Sequence, residues 1–317
     1  CTSLAFLIQG AFETGTSRPM GGELFQTFTA ILCFTSLVFI PLYVGVRLAV
    51  ERQESNLDLL YITTLTPEGI IRGKLLCGVY MTVLFFSAFM PFMAFTNLLR
   101  GIDLPTVGFI LMCLFLAICA AVQVGIFVAC LPVSRVLKIL VALVGMVVIF
   151  PASMGLIQLC FYMMRSGIGS SMGGSGFWSA FFSTVAVVAA VVGLLYFLSV
   201  AMISPLSANR ALPLRSYLTG VWLLGIAACC YRSVILLPWA AATFGVMSLS
   251  LLVVISNQDE LSLRVRRQIP VRMGRRLLAF LFFNGAAGGL TWIAFVLAAT
   301  YGIFWAVHPP SLGLTAE

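Results

Sequence analysis

The stretch FQTFTAILCFTSLVFIPLYVGVRLAV, from Phe25 to Val50, decides the fold class. It contains one charged residue, Arg47, in a run longer than the about 20 apolar residues that a helix needs to cross a bilayer. The whole chain is 61% hydrophobic and 9% charged, with a mean hydropathy of +1.11, whereas soluble domains carry about 25% charged residues. Continuous apolar runs also exclude an outer-membrane barrel. The sequence therefore predicts an all-α integral membrane protein, a polytopic helical bundle.

Similar runs recur along the chain, and we expect about nine spans, the first of them incomplete. The interval 217–256 is too long for one crossing. Both of its flanks are basic, so it should hold an even number of crossings, namely a helical hairpin. The expected spans are residues 1–12, 25–50, 75–99, 107–131, 139–164, 179–203, the two arms of the hairpin at 217–256, and 277–307.

These spans suggest two parts of the chain. Residues 1–203 would form a transmembrane domain of spans one to six, with a cytoplasmic loop at 51–74. Residues 204–317 would form an additional C-terminal transmembrane module, in which a basic cytoplasmic loop at 257–276 lies between the hairpin and the last span.

Arginine and lysine orient the spans, because both residues concentrate on the cytoplasmic side of a membrane. With the loop 51–74 inside, only four of the eighteen basic residues fall outside, and the other fourteen fall inside. The four are Arg18, Arg100, Arg165 and Arg232. We therefore expect a multi-pass protein of the cell inner (plasma) membrane, with the loop 51–74 cytoplasmic and the C-terminus outside.

The loop between the second and third spans reads ERQESNLDLLYITTLTPEGIIRGKLL, from Glu51 to Leu76. Its apolar residues recur at helical spacing before TLTPEG breaks the pattern. Thr66 is then a suitable N-cap, Pro67 suits the first position of a new helix, and Glu68 suits its positive end. The two short amphipathic helices could rest on lipid headgroups or could bind a soluble partner. Carboxylates outnumber bases here, which favours the partner.

The same segment resembles the one after the second span in permeases of the type-2 ABC exporter class. The resemblance extends over about 25–202, and the segment departs from the family pattern at Asn56 and at Thr64-Leu65. It implies that the loop is a coupling helix bound by a cytoplasmic ABC ATPase, and that the permease pairs with itself or with a paralogue. The contact residues so implied are Glu51, Arg52, Glu54, Leu57, Asp58, Leu59, Leu60, Thr63, Thr66, Pro67, Gly73 and Lys74.

The chain has no phosphate-binding loop of the G-x-x-x-x-G-K-[ST] type. The nearest approach, Gly69-x-x-x-Gly73-Lys74, is one residue short. We therefore expect no enzyme and no cofactor in this chain, with ATP and Mg²⁺ bound by the partner. The expected spans also lack acidic residues and histidine in their interiors, which disfavours a secondary carrier. A non-transport membrane scaffold that recruits soluble proteins is the main alternative.

The run RVRRQIPVRMGRR before the last span is strongly basic. Contact with anionic lipid and a second contact with the ATPase both explain it. Nucleic-acid binding does not, because the run adjoins a span and lacks aromatic residues. The basic residues concerned are Arg264, Arg266, Arg267, Arg272, Arg275 and Arg276.

Overall fold

A computed structural model describes residues 20–53, 66–98, 104–131, 175–205, 209–231, 235–256, 273–283 and 285–307. Within these residues the regular structure is helical. The helices are α1 (Met20–Gln53), α2 (Pro67–Leu98), α3 (Leu104–Cys130), α4 (Ser175–Ile203), α5 (Ala211–Tyr231), α6 (Leu236–Ser256), α7 (Met273–Phe282) and α8 (Ala286–Val307).

Six of these helices, α1 to α5 and α8, are long and apolar enough to cross a membrane. The chain is thus a multi-pass helical membrane protein, but the expected count of nine spans is not supported. The apolar stretch of α6, Leu236–Leu252, is shorter. The expected spans 1–12 and 139–164 lie outside the described residues.

The chain divides into two compact units, and the boundary lies between Met202 and Ile203. In the first unit, α1, α2 and α3 pack together around buried aliphatic side chains such as Leu32, Ile71 and Ile126. Helices α1 and α3 approach so closely at Gly125 that an added Cβ would lie 2.7 Å from the carbonyl oxygen of Pro41. Small residues permit this approach, as is usual between membrane helices.

Helix α4 contacts α3 near both of its ends. Phe109 of α3 lies 5.7 Å from Phe177 and 5.1 Å from Phe181, measured between ring centroids. At the other end, Gln123 Nε2 donates to Ser199 Oγ over 3.5 Å. The earlier residue of α3 contacts the earlier part of α4, and the later residue of α3 contacts the later part of α4. Helices α3 and α4 therefore run in the same direction.

The second unit contains α5 to α8. Trp292 Nε1 donates to Thr219 Oγ1 over 3.1 Å, and Trp222 Nε1 donates to Thr300 Oγ1 over 3.0 Å. These two hydrogen bonds join α5 to α8 with both helices running in the same direction. The interval 217–256 includes most of α5 and all of α6, and residues 232–234 between them lie outside the described residues.

The stretch 277–307 is not one continuous span. Helix α7 ends at Phe282 and α8 begins at Ala286. Between them Gly285 has a φ of +153°, a conformation that favours glycine. The spacing Gly285-x-x-x-Gly289 is typical of two glycines that pack on the same face of one helix. Gly285 lies in the turn before α8, however, so the two glycines do not share a helix face. Only the following glycines allow close packing, since a Cβ on Gly288 would overlap the carbonyl oxygen of Phe280.

Candidate partner-binding site

The site is built on the facing ends of α1 and α2, which carry the loop 51–74. Helix α2 begins at Pro67, and Thr66 is its N-cap. The backbone N–H of Gly69 donates to Thr66 Oγ1 over 3.2 Å, and that of Ile70 donates to the Thr66 carbonyl oxygen, also over 3.2 Å. Glu68 places a carboxylate in the first turn, where the helix dipole is positive. These residues give α2 a well-defined start.

An ion pair joins the two helices beside the loop. Lys74 Nζ lies 2.7 Å from one carboxylate oxygen of Glu51 and 2.6 Å from the other. Glu51 lies near the end of α1, which continues to Gln53. A second cation, Arg47, is one helical turn earlier on α1, and its Nε lies 3.5 Å from Glu51. In the parts of the chain that the structure describes, these are the ion pairs present.

The surrounding contacts show how firmly the pair is held. The Lys74 side chain is 24% exposed and that of Glu51 is 38% exposed, whereas Arg47 is 69% exposed. Close beneath the pair, Ile71 is fully buried, and Gly78 packs against Val122 of α3. The pair therefore sits at one end of the α1–α2–α3 core, with one side toward solvent.

The first two turns of α2 project past this pair. Lys74 is seven positions after Pro67, which corresponds to about 10 Å along a helix. Thr66, Glu68, Arg72 and Gly73 are exposed along this projection. It presents polar and charged side chains on a helix whose base is fixed by an ion pair.

The structure places only some of the expected contact residues. Thr66, Pro67, Gly73 and Lys74 lie on the start of α2, and Glu51 on the end of α1. Arg52 is in the same helix, and its side chain is not described. The remaining expected contacts lie outside the described residues: Glu54, Leu57, Asp58, Leu59, Leu60 and Thr63.

Among the expected basic residues, Arg275 and Arg276 belong to α7, where Arg276 is exposed. Arg264, Arg266, Arg267 and Arg272 lie outside the described residues. Two arginines have roles that the sequence analysis did not assign. Arg47 contacts Glu51, and its four-residue spacing is a visible signal for that pair. Arg215 is buried inside the second unit rather than exposed in a loop, and no local pattern marks it.

Over the described ranges, no three His, Cys, Asp or Glu side chains are grouped so that they could hold a metal ion. Comparison of the chain with family models, curated proteins and solved structures gives no match.

Proposed function

We propose that this chain is the membrane-spanning permease subunit of an ATP-driven exporter of the type-2 ABC class. A separate cytoplasmic ATPase would bind ATP and Mg²⁺, and a second copy or a paralogous permease would complete the complex. The sequence of the loop 51–74 supports the proposal through its resemblance to coupling helices. The single observation that carries it is the Glu51–Lys74 pair, which links the two ends of that loop.

The pair matters because a coupling element must pass a force into the membrane. A displacement of the loop would act on α1 and α2 together, since the pair joins both helices beside the loop. Helix α1 in turn touches α3 where a Cβ on Gly45 would lie 3.0 Å from the carbonyl oxygen of Gly125. Close-packed interiors transmit displacement rather than absorb it. The α1–α2–α3 core would therefore move as one body when the ATPase closes.

The first test is whether an ATPase accompanies the protein. The full-length chain is purified gently from its native membrane, and co-purifying proteins are identified by mass spectrometry. We expect a soluble subunit with a Walker-type phosphate loop, and we expect Leu59→Asp with Leu60→Asp to abolish its recovery. Ile102→Asp makes the same kind of change in the expected outer loop and should leave the recovery intact. If no ATPase is recovered while other membrane complexes survive, the permease proposal fails.

A second test separates a permease from a scaffold. Charge reversal at one partner, Lys74→Glu, breaks the pair and should uncouple ATP hydrolysis from transport in the complexes that form. Adding Glu51→Lys should restore coupling, because the reversed charges can pair again. A scaffold needs only binding, so it predicts that ATPase recovery and hydrolysis are the same in all three proteins. Transport that proceeds with the ATPase removed would instead favour a secondary carrier.

A further inference from the structure

The part of α7 that the structure describes is too short to cross a membrane. Its ten residues extend about 15 Å, half of the about 30 Å hydrocarbon thickness. Its carboxyl end lies against the first turn of α8 at Gly288, and Gly289 next to it lies against Val254 near the end of α6. Helix α7 therefore adjoins the end of the α5–α6–α8 bundle at which α6 ends and α8 begins. The end of a helix long enough to span a bilayer belongs near the membrane surface.

Arg215 fixes the carboxyl end of α7 in this place. Its Nη1 donates to the carbonyl oxygens of Leu281 and Phe283, both over 2.8 Å, and its Nη2 donates to that of Gly285 over 3.5 Å. The last carbonyls of a helix have no partner within it and form the negative end of its dipole. A guanidinium group satisfies both needs, since it offers several donors in one plane. Arg215 is 7% exposed, so its side chain is buried in this contact.

A Cβ on either of the first two glycines of α8, Gly288 and Gly289, would obstruct this arrangement. On Gly289 it would lie 2.8 Å from Nη2 of Arg215. The bare backbone of Gly288 and Gly289 leaves space for the guanidinium group and for the end of α7. The orientation of α7 is therefore set by three elements at once, α5, α8 and the turn at Gly285.

The exposed side of α7 combines charge and apolar surface. Arg276 is exposed near its amino end, and Phe280, four residues later and on the same face, is 50% exposed. Arg275 adds a second positive charge in the first turn. The described residues of the second unit contain no Asp or Glu. Among the described residues of this unit, no carboxylate is therefore present to neutralise these positive charges.

We propose that α7 is an interfacial helix that binds anionic phospholipid. Its arginines would contact the phosphate groups and Phe280 would enter the acyl region, while Arg215 positions the helix from behind. The sequence alone favoured lipid for the basic run and kept a contact with the ATPase as the alternative. A short helix at the membrane boundary, with a phenylalanine exposed beside an arginine, fits lipid better, because a membrane surface supplies both phosphate and hydrocarbon.

The test measures lipid retained by the purified full-length chain. The protein is exchanged into an equal mixture of phosphatidylglycerol and phosphatidylcholine, and bound lipids are counted by native mass spectrometry. We expect the wild type to enrich phosphatidylglycerol. Arg275→Gln with Arg276→Gln should lower that enrichment by about fivefold for each charge removed. The control Arg100→Gln with Arg165→Gln removes two charges expected on the opposite side and should leave it unchanged.

A second variant tests the positioning role of Arg215. Arg215→Lys keeps the charge but cannot reach several carbonyls in one plane. Hydrogen exchange of the α7 amides should become faster, and phosphatidylglycerol enrichment should fall although both α7 arginines remain. Arg232→Lys, in the interval between α5 and α6, is the control and should change neither. Unchanged exchange in the Arg215 variant would overturn the positioning role.

Either of two results would overturn the lipid proposal itself. The wild type could retain both lipids equally. Alternatively, the α7 amides could be protected only when a soluble subunit is present, in which case the contact is with protein. Both results are independent of whether the loop 51–74 binds an ATPase, so this proposal and the permease proposal can fail separately.

Discussion

At the scale of single residues, the Glu51–Lys74 pair has a measurable energy. Both partners are partly exposed, so solvent screens their attraction, and we expect a coupling energy of about 0.5 kcal/mol. A double-mutant cycle with Glu51→Gln and Lys74→Met, followed by chemical unfolding in detergent, measures it. Arg47→Met is the matched control, because its contact is longer and more exposed. A coupling energy no larger than that for Arg47 would contradict the bracing role of the pair.

A second residue-scale prediction concerns Thr300, which is fully buried between α5 and α8. Thr300→Val keeps the shape but removes the oxygen that accepts the hydrogen bond from Trp222 Nε1. An indole N–H left without a partner should lower the free energy of unfolding by about 1 kcal/mol. Thr291 of the same helix is exposed and bonds only within its helix, so Thr291→Val should have little effect. Thermal unfolding in detergent compares the two variants, and equal melting temperatures would contradict the prediction.

At the scale of helices, α3 offers two glycines with opposite surroundings. A Cβ on Gly125 would lie 2.7 Å from the Pro41 carbonyl oxygen, whereas a Cβ on Gly108 would meet nothing within 4 Å. Alanine is favoured over glycine in helices by about 1 kcal/mol. We therefore expect Gly108→Ala to be neutral or stabilising, and Gly125→Ala to destabilise by about 1–3 kcal/mol because α1 must shift. Melting temperatures that rise for both variants would show that α1 and α3 are not close at Gly125.

The sequence predicted the start of α2 but not the interruption between α7 and α8. Thr66, Pro67 and Glu68 each favour a helix start through local chemistry, and α2 begins there. The break between α7 and α8 was missed because apolar residues continue on both sides of it. The dipeptide Asn284-Gly285 is a turn signal that could have indicated it. What fixes the break is Arg215, about seventy residues away in the chain, and local patterns cannot report such a contact.

For the whole molecule, composition alone predicted a multi-pass helical membrane protein, because apolar length is a property of the sequence. For the candidate site, the sequence predicted the position of the loop 51–74 but not the contact between its two ends. The Glu51–Lys74 contact joins residues 23 positions apart and depends on how α1, α2 and α3 pack. No periodic pattern extends from Glu51 to Lys74. The sequence therefore indicated both residues as candidates but did not predict that they form an ion pair.

Helix directions within the second unit allow a prediction about membrane orientation. Arg215 near the start of α5 contacts the start of α8, and Trp222 further along α5 bonds Thr300 further along α8. The two helices therefore cross in the same direction.

This shared direction predicts the side on which α8 ends. Because basic residues favour the cytoplasm, Arg210 and Arg215 should place the start of α5 inside. Helix α8 should therefore end outside. Alkaline phosphatase fused after Glu317 should be active and a green fluorescent protein fused there should be dark, with the opposite results for fusions after Ser134. Fluorescence from the fusion at Glu317 would reverse this orientation of α5 and α8.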